Sequence, residues 1–547
     1  MTNSPGLPGS ERSGSPRLSL GLMLLLVLAT IGLFLPSLDG ALVYDDLPLI
    51  EVSPATQSIG AAVDHALEPF WAFNNPDSET QRGVWRPLTN LALAAGRALN
   101  GVTGDPAYQV PGGASGLHWI SLLLHVVGTV AAFRLATLLI ASRGGDALRA
   151  TLAGACAALL FAWHPAQVEA VSWISAVNDP LWGALGLAGL LAYERSALRR
   201  QGGEGAGIAS LTCALLLFLA LCSKEQAFVL PLVALTLDWS ARRWPSRGAV
   251  VSLVLPVVLW LGLRMHVFGS LDAGLFREYG DFGLTATREF TFRVELAGSF
   301  VSNLFWPAAP AVFRPVHPVP PEGSTALLHG GLWLGGLAIA LGVARWKGLS
   351  SIAFGLAAAA LVFAPFVISP DKAGLFPESD RYLYVAVFGA ALTLAGTLAR
   401  VQSAVPMVAV TLIAAAAFAK VSFAHQARFS SELAFRDAAV LDAPGSPNVR
   451  WGAGRAYIAE YERTQDVDML SKAYLHYLHS LKAVTVYGDG SFVDDESRPL
   501  GERVARMEAL ILETPPEARR LDPTVFATAD DRFQATLGQV YSNLLRV

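Results

Sequence analysis

Apolar residues fall in long blocks along roughly the first 425 positions of this chain, and polar residues gather in the gaps between the blocks. A block near 20 residues crosses the ~30 Å hydrocarbon core of a bilayer as a helix. The pattern predicts spanning helices over residues 18–36, 117–140, 150–163, 181–193, 208–222, 228–239, 250–268, 327–344, 352–368, 382–398 and 405–423. These make about eleven spans, so the expected fold class is all-α, a polytopic transmembrane helical bundle. The first block follows a basic segment, as a signal peptide would. It is long, however, and no small-residue cleavage pattern follows it, so it reads as the first span.

After about residue 425 the pattern changes. Charged residues become frequent and apolar positions take a helical period, which predicts soluble helices over 450–461, 466–482, 497–512 and 531–545. Trp451, Gly454, Tyr457, Ala473, Tyr477 and Leu481 fit one helix–turn–helix unit of tetratricopeptide type, and the alternative reading is an exported helical domain of another kind. The expected organisation is a disordered Gly/Ser/Pro-rich leader (1–17), a transmembrane domain (18–424) and a C-terminal helical domain (425–547).

Composition agrees with this division. Hydrophobic residues make up 53% of the 547 and charged residues 15%, against about 25% charged in soluble proteins. The net charge of −4 comes with no basic patch and no interleaving of aromatic and basic residues, so no nucleic-acid partner is expected. Cys156, Cys213 and Cys222 lie in apolar blocks without metal-like spacing and read as small buried hydrophobes.

Charge then orients the chain. Arg143 and Arg149, then Arg195, Arg199 and Arg200, then Arg242, Arg243 and Arg247, then Arg345 and Lys347, and finally Arg400 occupy alternate gaps. The positive-inside rule makes those gaps and the N-terminus cytoplasmic and the C-terminal domain extracytoplasmic, in an inner or plasma membrane.

The remaining gaps hold the residues with chemistry. They carry Val43-Tyr44-Asp45-Asp46, then an amphipathic stretch over 59–73, and Trp85-Arg86-Pro87-Leu88 ahead of an interfacial helix over 89–99. The next gap holds His164-Pro165 with Glu169, Trp173, Asn178 and Asp179, and Ser223-Lys224-Glu225 fills the one after it. A long gap over 269–326 contains a Pro-rich run, and the last gap carries Pro370-Asp371-Lys372 and Asp380-Arg381-Tyr382-Leu383-Tyr384. The acids suit proton abstraction or metal binding, and the bases suit an anion such as a phosphate. Adjacent carboxylates either raise the pKa of one member or hold a divalent metal. Taken singly, Lys224 also reads as a snorkelling side chain, Arg381 as a helix-end anchor and Asp179 as a helix cap. His164 has no second His at ligand spacing and reads as a hydrogen-bonding group where Pro165 breaks a helix.

In this order the motifs Tyr44-Asp45-Asp46, Arg86-Pro87-Leu88, His164-Pro165, Glu169-Ala170-Val171, Trp173-Ile174, Ser223-Lys224-Glu225 and Arg381-Tyr382-Leu383-Tyr384 resemble the transmembrane-and-tetratricopeptide-repeat O-mannosyltransferases and their bacterial relatives. These are integral-membrane glycosyltransferases of the GT-C class. The resemblance spans about residues 18–424. It implies a GT-C-like bundle that moves a mannose-like sugar, with inversion, from a polyprenyl-phosphate-linked donor to a hydroxyl of a protein or glycan acceptor. It implies Asp45 as catalytic base with Asp46 beside it. Arg86, His164, Glu169, Lys224, Glu225, Arg381 and Tyr384 are then expected to bind donor phosphate or substrate. It implies no certain cofactor, and a divalent metal at Asp45 and Asp46 stays open. The chain departs from the family in having Val177 where animal members carry an Arg, and in its short C-terminal repeat region. Two rival readings are a secondary transporter and a non-catalytic membrane scaffold whose C-terminal domain is a binding module.

Overall fold

The computed structural model describes residues 16–73, 83–100, 112–142, 146–270, 286–314, 325–369, 378–401, 403–444 and 446–466, with a few positions between 468 and 479. Helix α1 (Pro16–Phe34) fills the first apolar block and runs into a 3-10 turn at Leu35–Asp39. Short turns and the six-residue α2 (Ile59–Asp64) lead to α3 (Pro87–Asn100), where the fixed φ of Pro87 suits a first helical position. Then come α4 (Ser115–Ala141), α5 (Ala147–Trp163), the short α6 (Gln167–Ser172) and α7 (Asn178–Gln201). They are followed by α8 (Gly207–Leu221), α9 (Leu230–Ala241), α10 (Arg247–Phe268), α11 (Ala286–Phe305) and α12 (Thr325–Trp346). The bundle ends with α13 (Ser350–Ile368), α14 (Tyr384–Leu398) and α15 (Ala404–Gln426).

Among the described residues, eight helical stretches are long and apolar enough to cross a membrane, built on α1, α4, α7, α10, α12, α13, α14 and α15. The remaining three of the expected eleven are the shorter helices α5, α8 and α9. At 1.5 Å per residue, the 15 residues of α8 cover only about 22 Å. The expected class, a polytopic helical membrane bundle, is the one observed. One expectation fails. The gap over 269–326 is not all loop, because it contains the 20-residue α11. Arg288, Glu289, Arg293 and Glu295 break up its apolar window, yet Phe292, Leu296, Phe300 and Leu304 recur every fourth residue as a buried stripe.

A continuous apolar core runs through these helices, and α4 packs on α5, α7 on α8 and α13 on α14. The α13–α14 contact is backbone to backbone. A Cβ on Gly355 would sit 2.5 Å from the Gly389 carbonyl oxygen, and one on Gly389 would sit 2.3 Å from that of Gly355. Only glycine permits such an approach.

The described residues divide into two units: the bundle just described, and a smaller one that includes 311–314 and the described residues from Glu432 onward. In the smaller unit α16 (Glu432–Asp442) packs on α17 (Pro447–Thr464). Tyr457 donates from its hydroxyl to Asp437 Oδ1 at 2.7 Å and stacks on His476 at 5.3 Å between ring centroids. The helix expected over 450–461 lies within α17. That over 466–482 is described only in part, and those over 497–512 and 531–545 lie outside the described residues, as do Asp371, Lys372 and residues 1–15 of the expected 1–17 leader; its last two residues, Pro16 and Arg17, instead open α1.

Candidate active site at one end of the bundle

Five segments far apart in sequence meet at one end of the larger unit. The segment after α1 sets the pattern. Tyr44 takes a left-handed φ of +52°, a strained conformation for a residue with a Cβ. The strain is held in place from two sides. Trp173 donates from Nε1 to the Val43 carbonyl at 3.3 Å. Asp46, fully buried, accepts at Oδ2 from Val43 N at 3.0 Å and at Oδ1 from Ser175 N at 2.6 Å and from the Ser175 hydroxyl. The two neighbouring carboxylates thereby part company: Asp46 is committed to the backbone fold, while Asp45 stays half-buried.

Three ion pairs then tie the other segments together. Arg381 donates from its backbone N to Glu169 Oε2 at 2.9 Å and pairs through its guanidinium with Glu169 Oε1. Lys224 pairs with Asp179 Oδ1. Arg86 places Nε and Nη2 each 2.8 Å from Glu225 Oε2, and Glu225 Oε1 accepts from Trp85 N at 3.0 Å. The aromatic residues bind these pairs into one cluster. The Arg381 guanidinium lies 4.8 Å from the Trp173 ring and 5.0 Å from that of Tyr382, and Lys224 Nζ lies 5.1 Å from Tyr382 on the same ring. The charge of Arg381 is felt by Asp45 and Asp179 as well as Glu169. Arg264 of α10, wholly buried, donates from both terminal nitrogens to the Gly83 carbonyl at 3.2 Å and so fixes the segment leading to Arg86.

Burial and partner charge set the protonation of the loop groups. Burial pushes Asp46 up to about 7, although the Ser175 and Val43 donors oppose it. Burial raises Glu169 despite Arg381. Burial acts to raise Glu225, but the charge and hydrogen bond of Arg86, a backbone hydrogen bond and the charge of Arg264 together bring it below its ordinary value. Burial draws Lys224 down to about 8 against the pull of Asp179.

The Asp46 value carries a test. Between about pH 4 and pH 7 the folded chain keeps a proton on Asp46 that the unfolded chain releases. Stability therefore falls as pH rises through that window and levels off above it. At ~1.4 kcal/mol per pH unit, less near the two ends where one form is half titrated, the wild-type advantage over Asp46→Asn is expected to shrink by about 3 kcal/mol from pH 4 to 7. Unfolding free energies in detergent measure this, and parallel pH profiles would refute it.

Most of the residues expected from sequence meet in this cluster: Asp45, Asp46, Arg86, Glu169, Lys224, Glu225 and Arg381. Two do not join it. His164 caps the end of α5, accepting at Nδ1 from Ala166 N and donating from Nε2 to the Leu304 carbonyl at 3.2 Å, with its ring on Phe418. Tyr384 points into the bundle, its hydroxyl 2.8 Å from His125 Nδ1. Asp179, expected as a cap, is instead the buried partner of Lys224. Its Oδ2 has no hydrogen-bond donor among the described residues, which leaves a buried acceptor open. Nothing in the sequence marks Ser175, a lone serine of an apolar loop, as the anchor of an aspartate.

Both Asp46 oxygens already accept from protein donors, and Asp46 is therefore spent on the loop. Among the described residues no three His, Cys, Asp or Glu side chains converge as a metal site. These residues do not make a nest of oxygens of the kind Mg²⁺ or Ca²⁺ requires.

Fold and site together define a polytopic helical membrane protein with a dense cluster of ion pairs at one end of its bundle. The chain resembles protein O-mannosyl-transferases. It is 31% identical over 195 residues to Protein O-mannosyl-transferase Tmtc1 of Drosophila melanogaster, covering 36% of this chain and 20% of that relative. It is 32% identical over 210 residues to Tmtc2 of the same organism, covering 38% of this chain and 20% of that one. It is 24% identical over 266 residues to Protein O-mannosyl-transferase F38B6.6 of Caenorhabditis elegans, covering 48% of this chain and 34% of that one. The chain thus spans about a fifth to a third of the length of these relatives. No family model matches it. Among solved structures it is similar to the oligosaccharyltransferase of Archaeoglobus fulgidus in the apo form, with a TM-score of 0.39 at 14% identity over 82% of this chain and 60% of that one. The AglB oligosaccharyltransferase of that organism, in complex with an inhibitory peptide and a dolichol-phosphate, gives 0.41 at 13% over 81% and 59%.

Proposed function

We propose that this protein is a GT-C-type membrane glycosyltransferase that moves a mannose-like sugar from a polyprenyl-phosphate-linked donor to a hydroxyl of a protein or glycan acceptor. The observation that carries this reading is the half-buried Asp45 on a strained, pinned loop within reach of the charge of Arg381. The sugar class and the protein acceptor are taken from what the O-mannosyl-transferase relatives are named for.

In this mechanism Asp45 takes the proton of the incoming hydroxyl as its oxygen attacks the anomeric carbon. The bond from that carbon to the phosphate oxygen breaks, and its electron pair leaves with the phosphate. A single displacement inverts the anomeric centre. Each cation spends only part of its donor set on its carboxylate. Lys224 has three N–H groups and Arg86 and Arg381 five each, so donors remain for the charge that grows on the leaving phosphate. By the positive-inside rule this end of the bundle faces the extracytoplasmic side, the leader lies in the cytoplasm, and residues 425–547 form an exported helical domain.

The deciding experiment incubates the purified protein with radiolabelled polyprenyl-phosphate mannose and peptide or glycan acceptors. Label is expected in the acceptor. Folded protein that moves none to any of them would leave a scaffold, in which the ion pairs only hold loops together. With activity in hand, Arg86→Ala, Lys224→Ala and Arg381→Ala are expected to weaken donor use by about 1.5–3 kcal/mol each, the range for a hydrogen bond to a charged group. Unchanged donor kinetics in all three would remove these residues from the phosphate site.

A further inference from the structure

A second feature lies at the opposite end of the same bundle, where α9 and α12 terminate. A cleft of about 490 Å³ opens there, walled by Trp239 and Trp346, floored by Leu341 and Gly342, and flanked by Arg242 and Arg345. Of the three arginines in this corner, Arg243 is fully engaged: it pairs with Glu194 of α7 and with Asp238 of α9. Arg242 and Arg345 pair with no carboxylate among the described residues. Arg242 donates to the Arg345 carbonyl at 3.2 Å, and the Arg345 guanidinium lies 5.2 Å from the Trp239 ring. Arg345 Nε is buried without a hydrogen-bond partner. Below the cleft, α12 presents a row of exposed apolar side chains, Leu328, Leu332, Ile339 and Val343, each displayed as a lipid-facing residue would be.

We propose that this cleft binds one anionic phospholipid. Its phosphate sits between the Arg242 and Arg345 guanidinium groups, and an acyl chain runs along the apolar face of α12. Charge commits the occupant: two cations without a paired carboxylate among the described residues, at the mouth of a mostly apolar cleft, are satisfied by an anion that carries its own hydrocarbon. The tryptophans suit the same depth, since indole rings favour the boundary between headgroups and chains. The site is remote from the Asp45 cluster, at the far end of α7 and α9, and it stands whether or not the protein transfers sugar.

Native mass spectrometry of the detergent-purified full chain tests this, with phosphatidylglycerol and phosphatidylcholine titrated separately. Phosphatidylglycerol is expected to be retained preferentially as a single adduct. The double variant Arg242→Ala/Arg345→Ala is expected to bind it about tenfold or more weakly, as the loss of charge-assisted hydrogen bonds requires. Gly342→Leu is a second, independent probe. A Cβ there meets nothing within 4 Å, so the new side chain fills the cleft without removing a charge, and lipid retention is expected to fall in a protein that folds normally. Inorganic phosphate at matched concentration is expected to leave the adduct in place, and complete displacement by it would reassign the site to free phosphate. Equal retention of the two lipids by the wild type would overturn the proposal, as would wild-type retention by both variants.

Discussion

Asp45→Asn is expected to lower sugar transfer by about 10²–10⁴-fold while the lipid-linked donor still binds. Asn keeps the size of the side chain and one acceptor oxygen, but it cannot take up the proton of the attacking hydroxyl. The loss should therefore fall on turnover and leave donor affinity close to wild type. The contrast with its neighbour sharpens the test. Asp46 spends its oxygens on Val43 and Ser175 and thereby holds the strained Tyr44 turn. Asp46→Asn should cost stability and loop order first, with a smaller loss of turnover. Single-turnover rates with pre-bound donor separate the two positions. An Asp45→Asn protein that transfers sugar at the wild-type rate would end the assignment of this carboxylate as the base.

The largest stability effect is expected at Asp179. Its side chain is wholly buried and its partner Lys224 is 5% exposed. Asp179→Ala leaves that ammonium without a counter-charge, and removing one member of a buried pair costs about 3–5 kcal/mol. Denaturant or thermal unfolding in detergent measures the loss. Replacing both partners, as Asp179→Ala with Lys224→Met, removes the stranded charge and should restore most of that stability. The double variant also separates two roles for Lys224. If the lysine only ties loops together, donor KM returns to wild type along with stability. If it reaches the donor phosphate, stability recovers while KM stays raised. A single Asp179→Ala variant as stable as wild type would show that Lys224 escapes to water, contrary to its burial.

Much of this was legible in the sequence, for reasons of solvation. Long apolar blocks have one good solution in a bilayer, so α1, α4, α10 and α13 fall close to where the blocks lie. Charged residues flanking such blocks are costly to bury singly. That is why Arg86, Lys224, Glu225 and Arg381 stood out, and why they are paired in the fold. What the sequence does not carry is partner choice. Arg86 binds Glu225 across 139 positions, and no local pattern encodes that. Helix α11 was hidden because its charges dilute its hydropathy, although its fourfold apolar spacing was there to be counted. Asp179 stands before Pro180 as a capping residue would, and only the folded bundle brings Lys224 against it. Tyr384 shares a motif with Arg381 but starts the next helix, and that turn swings its ring inward to His125.

The three ion pairs also set an order of assembly. Asp179 and Lys224 lie 45 positions apart, and with Arg86 and Glu225 they are all present once the chain has been made to residue 225. Glu169 must wait for Arg381, 212 residues later. At about 5–20 residues per second, that interval is roughly 10–40 s of translation. During it a carboxyl group bound for a buried position is already at the insertion machinery without its counter-charge. Inserting it protonated, or keeping it in water until α14 arrives, are the two low-energy routes. A nascent chain halted before residue 381 would hold an open, half-stapled mouth, and the arrival of Arg381 is the event that shuts it.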